Sequence, residues 1–429
     1  MKQNYLKEIM TALLLLCCTA ASAADFEVDG IYYNILSSED KTVKVTSGSN
    51  KYSGAVTIPA SVTYNGEAYC VTSIGYRAFT SCYGLTSIEI PASVTSIGDR
   101  AFYYCPGLTS IEIPSSVTSI GEFAFSACSG LTSIVIPASV TSIGDRAFLG
   151  CSGLTSIEIP SSVTSIGEFA FSACSGLTSV TIGNGVTSIE EYAFHNCRGL
   201  TSIEIPSSVT SIGWGAFENC DGLTSIVVGD GNSVYDSRGN CNAIIETASN
   251  TLIIGCKNTI IPSSVTSIGG YAFYDCTGLT SIVIPEGVTI IGDWAFSDCY
   301  GLTSVEIPSS VSSIGNDAFY WCDGLTSIVS HIAAEDLFAP GNLAFYRIDK
   351  DACTLYVPAG AKSTYAATDG WKEFKNIVEM SSDGSDATAI EGIEAENAAP
   401  AVYYDLSGRR VQNPAKGIYI VNGRKVFIK

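Results

Sequence analysis

Cysteine, glutamate and aromatic residues recur at fixed intervals along this chain, and each recurrence points to a different chemistry. Cys82, Cys105, Cys128, Cys151, Cys174, Cys197 and Cys220 fall 23 residues apart, and Cys276, Cys299 and Cys322 resume the beat after a gap. Stacked at strand spacing, about 4.8 Å, such thiols are near enough to bond, but parallel side chains give a disulfide a poor dihedral angle. The expected state is a buried free thiol packed as a small hydrophobe. Cys70, Cys241, Cys256 and Cys353 lie off the beat, and a Cys241–Cys256 bond stays open. A second row carries carboxylates. Glu89, Glu112, Glu158, Glu204 and Glu306 share one repeat position with Val135, Thr181, Val227, Val283 and Val329, beside a serine column from Ser87 to Ser327. An acidic, hydroxylated strip of this kind suits a basic or polar partner, and it equally describes a merely soluble sheet face. A third group, Tyr104, Phe123, Phe169, Tyr192, Trp214, Trp294 and Trp321, surrounds a recurring Ala-Phe pair and is interleaved with Asp and Glu. Aromatic rings beside carboxylates suit sugar stacking or protein contacts, or simply cover the core beneath a turn.

The residue types for catalysis are present but not gathered. An active site needs a few unlike residues at one asymmetric place, whereas the 27 residues from Gly107 to Ser133 recur unchanged from Gly153, 46 positions later. There is no GxSxG elbow, HExxH, P-loop or paired histidine. His195 and His331 are expected as ordinary surface residues. Asp230, Asn232 and Asp236 hint at calcium but lack the full loop pattern with its closing Glu. No catalytic, cofactor or metal site is expected.

What must position these rows is a coil of 23 residues. In Leu131-Thr132-Ser133-Ile134-Val135-Ile136, alternation turns Ile134 and Ile136 inward and Ser133 and Val135 outward, predicting a short strand with one buried face. Pro137 ends it, having no amide for a ladder. Val140 and Ile143 supply a second inward pair, Gly144 allows a bend, Ala147-Phe148 returns to the core, and Cys151 closes the coil. One such unit cannot bury enough apolar surface to offset the ordering of its own backbone. Units must therefore stack, and both ends need caps.

The pattern LTSIxIPxSVTSIG, the AF pair and the Cys before the next GL resemble the leucine-rich repeats of the BspA-like type. The match covers about ten units from Ala78 to about Val329. The resemblance implies a repeat solenoid with a parallel β-sheet face and an irregular or short helical opposite side, and a secreted or cell-surface protein that adheres to host or neighbouring cells through a protein partner. A glycan-binding module using the aromatic edge, or a non-specific surface-layer spacer, are the alternatives.

The rest of the chain divides by composition. Lys2 and Lys7, the apolar run from Ile9 to Cys18 and Ala21-Ser22-Ala23 predict a signal peptide over 1–23, cleaved after Ala23. Leu16 stands before Cys17 where a lipidation site wants a small residue. No later run is long enough to span a bilayer. Residues 24–77 are expected as an N-terminal cap with a degenerate repeat, and 78–379 as the solenoid. Cys220 to Cys276 spans 56 residues, one unit plus 33, which predicts an insertion at about 229–259: a hairpin protruding from the coil stack or built into it. Ser, Ala and acidic residues mark 380–400 as a linker. The segment 401–429 holds six Lys or Arg and one Asp, and its DLSGRRV, KGIYIV and terminal basic strand resemble a type IX secretion sorting domain, though shorter than that family's usual β-sandwich. That resemblance implies engagement of export machinery and an address at, or beyond, the outer surface of a Gram-negative bacterium. The chain carries 22 Lys plus Arg against 42 Asp plus Glu, a net charge of −20. Such a balance argues against nucleic acid and against an anionic membrane surface, and leaves an extracellular protein or glycan as the expected partner.

Overall fold

The computed structural model describes residues 24–381 and, as backbone strands, four segments between Tyr403 and Ile428. The signal peptide with its Ala23 cleavage point lies outside the described residues, as does the linker beyond Ser381. The chain winds as a β-solenoid of about 13 turns at roughly 23-residue spacing. Each regular coil lays down its first strand where alternation is strict. Ser110–Glu112 pairs in parallel with Ser133–Val135, and Ser156–Ile159 with Ser179–Ile182, serine opposite serine and inward residue opposite inward residue. The inward Ile134 and Ile136 are buried while Val135 is exposed, so this ladder has one apolar face.

A second ladder runs along the solenoid where the sequence shows only an inward pair. Ser96–Ile97, Ser119–Ile120, Ser142–Ile143 and their successors stack in parallel, continuing an 11-stranded sheet that starts in the antiparallel strands Phe26–Val28 and Ile31–Ser37. Two residues per coil are too few for alternation to betray a strand. The third side is a series of turns around the Ala-Phe pair. Its phenyl rings form a column, Phe79 to Phe217 and then Phe273 to Phe345, with neighbouring centroids such as Phe148 and Phe171 5.1 Å apart and nearly coplanar. Helix is confined to a single turn at Lys362–Tyr365 and a 3-10 turn at Arg238–Asn240 among the described residues.

The polar repeat residues hold neighbouring coils together. Thr109 Oγ1 donates to the Thr86 carbonyl at 3.3 Å and Ser139 Oγ to the Val117 carbonyl at 2.6 Å, each one coil back, and the pattern recurs along the chain. The cysteines of the beat donate as well: Cys151 Sγ lies 3.2 Å from the Phe125 carbonyl oxygen and Cys174 Sγ 3.2 Å from that of Phe148. These thiols are free, and all but the half-buried Cys276 are buried; burial pushes Cys151 and Cys197 up to about 12, so they are inert packing groups rather than nucleophiles. Cys241 and Cys256 are also free, with Cys256 Sγ 3.4 Å from the Asn242 carbonyl. Glycine is required where coils touch: a Cβ on Gly130 would come within 2.3 Å of the Pro106 carbonyl oxygen.

At the C-terminal end Trp371, Tyr365 and Phe374 cover the last ring of the column, Phe345, and Trp371 Nε1 donates to the Phe338 carbonyl at 2.9 Å. The strands between Tyr403 and Ile428 form a separate antiparallel sheet in which Val421 faces Arg424. Because the phenyl column is the continuous core of the third side, Phe171→Ala should cost about 3–5 kcal/mol in urea unfolding. A loss under about 1 kcal/mol would mean that the column is ornamental.

Candidate functional site

The carboxylate row lies where the first ladder exposes it. Glu89, Glu112, Glu158, Glu204 and Glu306 are all exposed. Register shows how the strip tolerates them: Glu112 is opposite Val135, Glu158 opposite Thr181, Glu204 opposite Val227, and Glu306 between Val283 and Val329. Carboxylates two coils apart are about 10 Å from one another, close to the screening length at physiological salt. Two of the five have partners within the chain. Thr57 Oγ1 donates to Glu89 Oε2 at 3.3 Å, and His331 Nε2 lies 2.7 Å from Glu306 Oε1, which raises the imidazole above its ordinary value.

The aromatic row is mostly occupied with itself. Phe169 stacks on Tyr192 at 4.6 Å, Tyr192 meets Trp214 edge-on at 4.6 Å, Trp214 meets Tyr271 at 4.9 Å, and Tyr271 stacks over Trp294 at 6.0 Å. Phe123 is held between guanidinium groups, with Arg100 at 4.6 Å and Arg146 at 5.6 Å from its centroid. Seven rings, those of Tyr104, Phe123, Phe169, Tyr192, Tyr271, Trp294 and Trp321, sit on left-handed backbone with φ between 53° and 60°. That conformation is costly for a bulky residue, and the ring contacts offset it. Tyr104, Trp214 and Trp321 keep 46%, 43% and 37% of their surface in solvent, and the other four of the row are half-buried.

A third place was not singled out in the sequence. The 33 extra residues form antiparallel strands, Tyr235–Asp236, Ile244–Glu246 and Thr251–Ile254, of which the last pairs in parallel with Ser267–Ile268 and so takes a rung of the second ladder. The segment is built into the stack. Asp236 holds Arg238 in a two-contact ion pair, and Asn232 Oδ1 accepts the amides of Val234 and Tyr235. Of the calcium-like residues of the sequence, Asp236 and Asn232 are thus spent on ion-pair and turn contacts, and Asp230 is exposed. Among the described residues no three His, Cys, Asp or Glu converge as a metal site.

At the junction of this segment with the regular coils lies a cavity of about 370 Å³, lined on one side by Trp214 to Asp221 and on the other by Gly270 to Cys276. Glu218, with 13% of its side chain exposed, turns Oε1 toward His195 Nε2 at 4.0 Å. Its Oε2 is buried without a hydrogen-bond donor, as is Asn219 Oδ1. Burial, then the charges of Asp275 and Asp298, pushes Glu218 up to about 7. Asp275 is raised to about 6 by burial, then by Asp221 and Asp298. His195, expected on the surface, is instead largely buried: Ser172 Oγ lies 3.1 Å from Nδ1 and Asn219 Nδ2 3.4 Å from Nε2. Burial, with Arg198 nearby, holds it below its ordinary value. The sequence signal for this place was the 56-residue gap between Cys220 and Cys276.

A solenoid of 23-residue coils with a strand at LTSIxI and a phenyl column defines a leucine-rich repeat protein. The family described as BspA type leucine rich repeat region matches residues 60–155, 118–242 and 251–350, in six copies. The chain belongs to that family. Among solved structures it is similar to a leucine-rich cell surface protein of Faecalibacterium prausnitzii, with 31% identity and a TM-score of 0.64 over 82% of this chain and 99% of that one. A leucine-rich repeat protein of Bacteroides ovatus matches at 27% identity and a TM-score of 0.45, covering 83% of this chain and 100% of that one. The pneumococcal vaccine antigen PcpA matches at 19% identity and a TM-score of 0.49, covering 82% and 98%. No curated protein matches the chain.

The raised carboxyls set a pH dependence. Between the ordinary carboxyl range and about 7, the folded chain holds a proton on Glu218 that the unfolded chain has released, so stability falls as pH rises through that window. Lowered His195 contributes the opposite slope, so the informative quantity is a difference. The melting temperature of Glu218→Gln relative to the native protein should rise steadily from pH 5 to pH 8, and a constant difference would show that Glu218 titrates normally.

Proposed function

We propose that this protein is a non-catalytic interaction module displayed outside the cell, which binds a basic protein surface along the carboxylate strip of its first ladder. Membership of a leucine-rich repeat family with surface proteins suggests protein interaction or adhesion in general. The observation that carries the finer reading is the register of that strip: five exposed glutamates on parallel ladders, Glu89 and Glu112 on adjacent rungs and the others separated by Val and Thr. Rows of this kind meet an extended partner at several points at once, and each contact weakens as salt rises. The aromatic edge supports a glycan reading less well, since most of its rings are already stacked on one another.

The test is binding of immobilised residues 24–381 to host extracellular proteins at low and raised salt. Changing Glu89, Glu112, Glu158 and Glu204 together to Gln should weaken binding at least about tenfold and flatten its salt dependence. Unchanged binding would remove the sheet-face reading, and retention of a glycan instead would favour the aromatic edge.

Delivery to the surface is assigned to the basic C-terminal segment, on the strength of DLSGRRV and KGIYIV. Deleting 401–429 should strand the protein in the periplasm, as read by surface proteolysis of intact cells. Continued surface exposure would refute that role.

A further inference from the structure

The cavity at the junction exists because one turn of the solenoid is missing there. In a regular coil the amide of each phenylalanine donates to the alanine carbonyl of the next, as Phe194 does to Ala216 and Phe273 to Ala295, both at 2.8 Å. At the junction the amide that donates to Ala272 belongs to Gly255, at 2.7 Å. The coil containing Gly255 is in register on both sides of that point. Leu252 accepts the Gly269 amide as Ile97 accepts that of Gly121, and Cys256 accepts the Thr259 amide as Cys105 accepts that of Leu108. From Ile97 to Cys105 is eight residues, but from Leu252 to Cys256 is four. The coil has therefore lost its Ala-Phe turn, and a glycine stands where the phenyl column needs a ring.

Three consequences meet in the cavity. The apolar floor is opened: Phe217 and Cys220 are 6% and 8% exposed, where Phe194 and Cys197 are 0%. The wall facing the missing turn also loses its backbone partners. In regular coils the amides equivalent to Gly215, Phe217 and Asn219 donate to the next coil, as those of Tyr192, Phe194 and Asn196 do. The amides of Gly215, Phe217 and Asn219 themselves meet no carbonyl among the described residues. On the same wall stand the two buried acceptors without donors, Glu218 Oε2 and Asn219 Oδ1. No Lys, Arg or His lines the cavity.

We propose that this cavity is a binding site for a primary ammonium carried on an aromatic or large apolar body that also bears a carbonyl, the chemistry of an α-amino amide such as the N-terminus of a peptide. The ammonium donates to Glu218 Oε2 and Asn219 Oδ1, the ring packs on the opened face of Phe217, since the Phe273 ring already fills the space beside Gly255, and the carbonyl accepts from the unpaired amides of the Trp214–Asp221 wall. Ring and carbonyl answer groups that the missing turn left unmet, and the ammonium answers the two unpaired acceptors. At about 370 Å³ the cavity is of the size that holds a small ligand. Trp214 and Tyr271, 4.9 Å apart, stand at its rim. This site is independent of the carboxylate strip, which lies on another side of the coil.

The experiment is calorimetric titration of residues 24–381 with four probes that each isolate one group. Phenylalaninamide carries all three, N-acetylphenylalaninamide lacks the cation, glycinamide lacks the ring, and phenethylammonium lacks the carbonyl. Saturable binding of phenylalaninamide at one site is expected, at least about tenfold tighter than each of the others. Glu218→Gln should abolish its advantage over the acetylated probe, and Trp214→Ala should weaken phenylalaninamide binding. Changing the exposed Glu67 of the N-terminal cap to Gln should leave that binding unchanged. A peptide with N-terminal phenylalanine distinguishes the sources: binding equal to that of the free amide assigns the site to a protein terminus, and its exclusion assigns it to a small amine. No saturable binding up to about 10 mM, weaker than the affinity of even modest complexes, would overturn the proposal. So would equal binding of the acetylated probe. The comparison among probes on the native protein stands even where a variant fails to fold.

Discussion

Every coil in this protein depends on the next for its backbone hydrogen bonds. A parallel ladder pairs its strand amides only with a neighbouring strand, and on the third side amides that reach the next coil, such as Phe125 to Ala147, alternate with turn amides that bond within the coil, such as Cys128 to Phe125. Much of the repeat sequence follows from that constraint. Glycines occupy the points where a Cβ would strike the previous coil's carbonyl, as Gly130 does at Pro106. A hydroxyl stands where a carbonyl needs a donor, as Ser139 does for Val117, while Cys151 adds a second donor to the Phe125 carbonyl that the Cys128 amide already meets. An unpaired buried carbonyl would cost about 1–3 kcal/mol, and the serine column answers one such carbonyl per regular coil. Serine, threonine and cysteine in this chain are therefore read first as structural donors, and only what remains can serve a partner.

What remains is small and specific. On the first ladder the remainder is the row between the inward isoleucines, because its side chains face solvent and contribute nothing to stacking. From Glu112 to Val227 its glutamates alternate with Val and Thr. Carboxylates on adjacent rungs repel at about 5 Å, whereas two rungs apart screening removes most of the interaction. The strip is therefore acidic at little cost to the ladder from Glu112 onward, while Glu89 and Glu112 stand on adjacent rungs and Thr57 donates to Glu89. At the aromatic edge little remains, since ring contacts there offset left-handed backbone at one position per coil.

The period, the first strand and the inward isoleucines were legible because each rests on a local rule: fixed spacing of Cys, alternation, and a proline stop at Pro137. Tyr64-Asn65-Gly66-Glu67 was legible for the same reason, and Asn65 and Gly66 adopt the positive φ that a two-residue hairpin turn requires. The second ladder was not, because a strand of two residues such as Ser142–Ile143 leaves no alternation to read. Nor was the burial of His195. Its surroundings are set by Ser172 one coil before it and Asn219 one coil after, and nothing in the local sequence marks either as a neighbour. The cysteine hydrogen bonds lay equally out of reach, since the Phe125 carbonyl is found only by stacking the coils.

Periodicity also decides where a selective pocket can form. Identical coils offer identical surroundings, so they suit an extended partner met many times over and give no single point an advantage. Discrimination needs unlike groups converging at one place, and in a solenoid that place is wherever the repeat breaks. Here the break removes an Ala-Phe turn as well as adding antiparallel strands, so it opens the core. A lost turn brings three kinds of group together: the partly opened ring of Phe217, amides that have lost their ladder partners, and the carboxyls of Glu218 and Asp275 drawn inside. An inserted loop alone would supply none of these. The chemistry of the irregular coil therefore cannot be deduced from the regular coils around it.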